Sequence, residues 1–308
     1  FARSVHNGGK FTLLEGASIN LYSAVLNNTA SGAIVVLSTI AARGSITSQS
    51  GTTLFQNGGA FVVLGPTSVS APMINTRAFN ISSSELSCSG PAWHAQSATV
   101  VGTGVYIQQS QPLVVQGNAV FASFTGRFSL QSGASVDFAS TSAPRLPARM
   151  TFEMTSGGAL YMPNNGDLVV DGTFVLSGGG SSQVSHSTPA NAVAARLVFN
   201  GTVTQQGASL VLWGSVNGVH VFGKYQASNA AFSLRPNARL TLEAGGSLTV
   251  TGPFQVDNFF GSDTSTRFTS LGRITVPSTA FYLYAPSIVA GRVNLTSSQS
   301  ALYLQQSI

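Results

Sequence analysis

The chain has 308 residues, of which 43% are apolar and only 7% charged, with a formal charge of +5. This balance excludes a disordered chain, which combines few apolar residues with high net charge. The twelve Arg and two Lys are scattered, with Arg145/Arg149 and Arg235/Arg239 the closest groupings, so the basic pI reflects scarce acids and no nucleic-acid partner is expected.

In chain order the first predicted unit is Phe11/Leu13 followed by Ile19/Leu21, two apolar–x–apolar pairs around Gly16-Ala17. Such alternation puts both members of a pair on one strand face, because successive side chains point to opposite faces. Residues 33–40, apolar except for Ser38 and Thr39, are read as a strand buried on both faces or a capping element. Units recur eight residues apart at Ile46, Leu54 and Val62, with Gly51 and Gly58-Gly59 between them. Residues 65–98, with Pro66, Pro72 and Pro91, are the least regular part. Within them, Leu86-Ser87-Cys88 places the single cysteine at an inward position, which excludes an intrachain disulfide and implies a buried free thiol.

Regularity returns at Val105/Ile107, Leu113/Val115, Ala119/Phe121, Phe128/Leu130 and Val136/Phe138. Phe152/Met154, Leu160/Met162, Leu168/Val170 and Phe174/Leu176 follow at steps of 8, 8 and 6. After Leu197/Phe199, Val203, Leu210/Leu212 and Val219/Val221 the same steps return eighty residues on, at Phe232/Leu234, Leu240/Leu242, Leu248/Val250 and Phe254/Val256. Turn formers separate these last pairs: Pro236-Asn237, Gly245-Gly246 and Gly252-Pro253. Ile274/Val276, Phe281/Leu283, Val293/Leu295 and Leu302/Leu304 close the chain. No amphipathic helical stripe occurs; a short turn near residues 190–195 is the one helical expectation, and no apolar window is long enough for a membrane span.

Strands this short need an architecture that stacks them. Successive pairs taken as the sides of one coil give about 22–24 residues per coil and about 13 coils, with Phe128, Phe152, Phe174 and Leu197 at equivalent positions. At roughly 4.8 Å per coil the stack is about 60 Å long. Four strands per coil is a competing reading, and an antiparallel sandwich is the competing fold; the near-identical steps argue against the sandwich. Three polar insertions, residues 139–148, 177–194 and 257–266, each follow a regular unit, and such insertions tend to map to one side, often the binding side. Residues 177–189 read as the clearest flexible loop. The pattern resembles parallel β-helices, the architecture of pectin-lyase-like proteins, phage tailspikes and surface adhesins. The expected fold is therefore all-β, one continuous parallel β-solenoid of the right-handed class over residues 1–308. A start at Phe1 suggests a processed form or part of a longer chain.

The pectin-lyase-like resemblance implies polysaccharide cleavage by clustered carboxylates, with Arg or Ca²⁺ in some members. The nearest of the nine acids, Asp167 and Asp171, sit four residues apart, roughly 13 Å along a strand and too far for a cleavage pair. Asp257 and Asp263 share one insertion and could bind a cation, but solvated loop acids are the plainer reading. His6, His94, His186 and His220 lack metal-ligand spacing, no G-x-S-x-G elbow is present, and Gly178-Gly179-Gly180 lacks the Lys and helix of a phosphate loop. No catalytic residue, metal or cofactor is therefore expected. Arg127, Arg273 and Arg292 each follow a glycine at a strand start, and Arg196 stands before Leu197; if aligned they would form a ladder for sulfated or acidic glycans, or they simply keep the coils solvated. Trp93, Trp213, Tyr282 and Tyr284 are the aromatics for a glycan surface, with placement inside the coils the default for most. Sequons occur at Asn27, Asn80, Asn200 and Asn294, about as often as chance gives.

A solenoid has open ends that must be covered, and no charged or helical cap is visible at either one. The functional expectation is an extracellular structural or adhesive protein, a subunit of a surface filament or appendage that self-associates end to end through Phe11, Leu13, Leu302, Leu304 and Ile308. The alternative is a polysaccharide-binding or polysaccharide-degrading β-helix.

Overall fold

The computed structural model describes residues 3–38, 43–50, 53–138, 140–155, 157–164, 166–186, 195–213, 218–258 and 266–304. Among them are forty strands and no helix, wound as a parallel β-solenoid of about 12 turns with about 22 residues per turn. Sheet A, of fourteen strands, runs from Arg3–Asn7 to Ala301–Leu304; sheet C, of thirteen, runs from Ser18–Tyr22 to Arg292–Leu295. The third side is sheet B for six strands, Lys10–Leu13 to Ser123–Phe124, and then sheet D for seven, Arg145–Leu146 to Ser287–Val289. Each coil visits A, then B or D, then C, so a coil has three strands and not four.

One member of each alternation points inward and stacks on the equivalent residue of the next coil. Phe128 lies on Phe152 at 5.3 Å between ring centroids, and Phe152 on Phe174 at 5.2 Å. The fourth residue of that column is Val203 and not Leu197, which belongs to sheet D and pairs with Leu168 and Val219. The two stretches with steps of 8, 8 and 6 are likewise out of phase: Phe152/Met154 starts on sheet C, Phe232/Leu234 on sheet A. All three sides carry the same apolar pair, so the pattern marks strands without saying which side of the coil they form.

Several local expectations change for identifiable reasons. In Val105–Gln109 the inward residues are Tyr106 and Gln108, because Tyr106 stacks between Leu86 and Phe128; Val105 and Ile107 take the other face. Phe55 replaces Leu54 inside, and Phe61 and Val63 flank an outward Val62. The run at 33–40 is not buried on both faces: Ile34 and Val36 are inward in Ala33–Val36, and residues 39–40 lie outside the described residues. Ala119 and Phe121 are in a turn before Ser123–Phe124. Residues 65–98 are the tightest-wound part rather than an irregular one; Phe55 pairs with Met73 and Met73 with Ala92, 18 and 19 residues on. Pro66, Pro72 and Pro91 each stand just before a strand, where no ladder donor is lost. Within 177–189, Ser181–His186 is a sheet A strand whose Val184 is fully buried. The helical turn expected near 190–195 falls almost wholly outside the described residues.

Two features fix the corners. At the A-to-B corner, Asn7, Asn28, Asn57 and Asn75 form a ladder, each Nδ2 donating to the next Oδ1 at 2.7–2.8 Å. Asn75 then donates to Nδ1 of His94 at 3.1 Å. At the D-to-C corner stand Gly172, Gly201, Gly223, Gly246, Gly272 and Gly291, where a Cβ would collide with a carbonyl oxygen of the preceding coil. That column explains why Arg273 and Arg292 follow glycine.

Candidate functional site

Sheet D concentrates the ionic chemistry of the surface. Its strands begin directly after the sheet A strands, and the insertions around 139–144, 187–194 and 259–265 all fall in those A-to-D connections. Arg145 binds Asp171 through two guanidinium nitrogens, and Asn200 donates to the same carboxylate at 2.9 Å. One coil further, Arg196 binds Asp167 with a shortest contact of 2.6 Å. The Arg196 hydrogen bonds hold the Asp167 carboxyl below its usual range, and Asp167 in turn raises Arg196. His220 Nδ1 lies 2.7 Å from Glu243 Oε1. Asp167 and Asp171 therefore serve as ion-pair partners across coils and not as a carboxylate pair.

Above these compensated residues the column continues differently. Arg196 pairs with Gly218, and Arg239 follows two coils above Arg196; Arg239 and Arg267 are directly opposite on adjacent strands. One coil separates those two, roughly 4.8 Å along the axis. Neither has a carboxylate partner among the described residues. Gly218 supplies no side chain between Arg196 and Arg239, where the His220 ring lies instead, and a groove of about 420 Å³ opens along these strands. Its walls are the three arginines, His220, Thr241, Thr269 and the exposed Ile288.

The residues singled out in the sequence are distributed as follows. Arg127, Arg273 and Arg292 do occupy one column of sheet C, but Thr151, Thr173, Thr202, Lys224 and Ser247 stand between the first and second. Arg127 is paired with Glu153 at 3.6 Å, and Arg292 donates to Asn294 at 3.0 Å. The predicted ladder is thus one adjacent pair, Arg273 and Arg292, and a distant Arg127, while Arg196 belongs to sheet D and not to this column. The sequon residues Asn27, Asn80, Asn200 and Asn294 are all outward, none of them buried. Trp93, Trp213, Tyr282 and Tyr284 lie outside the coils, contrary to the default placement. Their ring faces are largely occupied: Tyr282 stacks on Tyr284 and Tyr303 at 5.9 and 4.9 Å, and the Arg235 guanidinium lies 4.8 Å from the Trp213 ring. Cys88 is buried as expected, its thiol pushed up to about 12 by burial against an opposing hydrogen bond with Tyr106. Asp257 lies within the strand Phe254–Asn258, where burial raises its carboxyl, and is not a solvated loop acid; Asp263 lies outside the described residues. Among the described residues no three His, Cys, Asp or Glu side chains converge, and no helix is long and apolar enough to cross a membrane.

At the stack ends, Val5 and Phe11 are 57% and 44% exposed, and Leu304 is 67% exposed. Leu302 is partly buried against the core. Leu13 is only 3% exposed and does not belong to an open end, since its own coil and Val36 cover it. Ile308 lies outside the described residues.

No family model, curated protein or solved structure matches the chain. Its reading rests on its own residues. The sequence missed the sheet D groove because Arg196, Arg239 and Arg267 are separated by 43 and 28 residues, and only the coil register brings them together. Arg at the first position of four sheet D strands, at Arg145, Arg196, Arg239 and Arg267, was the available signal.

Proposed function

We propose that the protein is an extracellular structural or adhesive β-solenoid whose subunits associate end to end. The observation that carries this reading is the state of the two end coils. Inward positions that are fully covered in the middle of the stack are open at its ends, at Val5, Phe11 and Leu304. The first and last sheet A strands each pair on one side only, with Ala24–Asn28 and Ala280–Leu283. A further coil would cover those side chains and satisfy the strand edge. A second copy supplies such a coil in register, because both ends expose the same order of sides, with sheets A and C shared. A head-to-tail contact of this kind is heterologous and does not close, so it propagates into a filament. Electron microscopy of native material across a dilution series tests it. Rods joined at an axial repeat of about 60 Å are expected; short rods that stay separate at every concentration would remove the reading.

A second reading, polysaccharide binding, is supported by the arginines of sheet D that lack carboxylate partners. Stacked external tyrosines do not favour it, since a sugar ring packs on an aromatic face and those faces are used on each other.

A further inference from the structure

We propose that the sheet D groove is a binding site for an anionic polysaccharide, with Arg239 and Arg267 holding its sulfate or carboxylate groups; this deepens the polysaccharide-binding reading and rests on it. The argument starts from a contrast within one face. Arg145 and Arg196 each have a carboxylate from a neighbouring coil, Asp171 and Asp167. Arg239 and Arg267, further along the same sheet, are in direct register with each other and have no such partner among the described residues. Like charges opposite one another on adjacent strands repel, and an anion bridging both removes that repulsion. The guanidinium fork suits this task, since it meets sulfate and carboxylate oxygens with two parallel donors.

Charge distribution along the molecule points the same way. Residues 218–304 contain six Lys and Arg against three acids, so +3 of the formal +5 falls in this last part of the chain. Arg196 stands two coils from Arg239 and lines the same groove, with the His220 ring between them. The cations therefore lie along the solenoid axis at multiples of the coil spacing, an arrangement that a linear polymer can follow and a compact anion cannot. Thr241 and Thr269 line the same groove and offer hydroxyls to sugar hydroxyls. A single-stranded nucleic acid is disfavoured, because such sites stack bases on exposed aromatic faces and the groove has none.

The test is binding of dextran sulfate and of polygalacturonate to the full chain over a range of salt concentrations, with neutral dextran and a single-stranded oligonucleotide beside them. At least one anionic polysaccharide is expected to bind, with affinity falling as salt rises, and neutral dextran is not. The double variant Arg239→Gln/Arg267→Gln should weaken binding at least tenfold and flatten its salt dependence, while melting at or above the wild-type temperature because repulsion is relieved. Arg273→Gln/Arg292→Gln on sheet C should change affinity less than twofold. Undiminished binding by the first variant, or loss with the second instead, overturns the site and leaves the polysaccharide reading standing. If neither anionic polysaccharide binds the wild-type protein, that broader reading fails with it. Tighter binding of the oligonucleotide overturns the polysaccharide assignment, and a large drop in melting temperature for the first variant would make the two arginines structural.

Discussion

Asn57 uses its whole amide inside the coil: Nδ2 donates to Asn75 and to the Ala78 carbonyl, and Oδ1 accepts from Asn28. An apolar replacement leaves an amide hydrogen of Asn28 buried without a partner and takes a donor from the Ala78 carbonyl and from Asn75 Oδ1, which keeps only the Arg77 N–H at 3.3 Å. Asn57→Leu should therefore lower stability by about 3 kcal/mol, at roughly 1–3 kcal/mol per unsatisfied group, measured by urea unfolding. The ladder ends on His94, which burial pushes down to about 3 from an ordinary 6.5. Its neutral ring accepts from Asn75 at Nδ1, which puts the ring proton on Nε2. Because the folded value is the lower one, the unfolded chain takes up the proton first as pH falls. The contribution is fully present above about pH 6.5 and is lost progressively toward pH 3, on the order of several kcal/mol in all. His94→Asn should flatten the stability profile across that window relative to wild type; parallel profiles for the two proteins would refute the assignment.

At the scale of the element, the strands are short and interchangeable, and the corners set the winding. The D-to-C corner is tight enough that consecutive glycines approach each other's backbone: a Cβ on Gly223 would collide with the Gly201 carbonyl oxygen, and one on Gly291 with that of Gly272. Backbone atoms on both sides leave no flexible group to move. Gly223→Ala should destabilise the protein by more than about 2 kcal/mol, in line with other strained substitutions. Gly179→Ala, where nothing lies within 4 Å of the added carbon, should change little. Thermal unfolding of the pair checks both.

Strand existence was legible in the sequence here because the apolar pair survives on all three sides. Which member of an alternation points inward was not legible where both faces carry apolar residues, as at Leu54/Phe55 and Val105/Tyr106. There the stacking partner decides: Tyr106 fits between Leu86 and Phe128. The asparagine ladder was equally hidden, since Asn57-Gly58-Gly59 reads as a turn and nothing local says that the amide faces the core.

For the molecule as a whole, each coil contacts mainly its neighbours, so stability is approximately a sum of coil and interface contributions. The end coils have one neighbour where the others have two. Amide exchange should consequently be fastest in Arg3–Asn7 and Ala301–Leu304 and slowest in the middle of sheets A and C. If copies join end to end, raising the protein concentration should protect the end strands while leaving the central ones unchanged. Uniform protection along the stack at every concentration would contradict both the one-dimensional picture and the end contact.

The sequence alone determined the class of fold: alternating apolar pairs, regular turns and no helical period admit few alternatives to stacked parallel coils. It also determined the low charge of the surface and the buried state of Cys88. Tertiary structure decided everything that depends on coil phase, because coils of 18 to 29 residues prevent any fixed sequence interval from marking equivalent positions. It put Val203 and not Leu197 above Phe174, separated Arg127 from Arg273 and Arg292, and set Arg239 beside Arg267. The physical reason is that strand pairing across a coil is non-local. Local alternation says which face a side chain takes, and only the length of every intervening corner says which side chain lies above it.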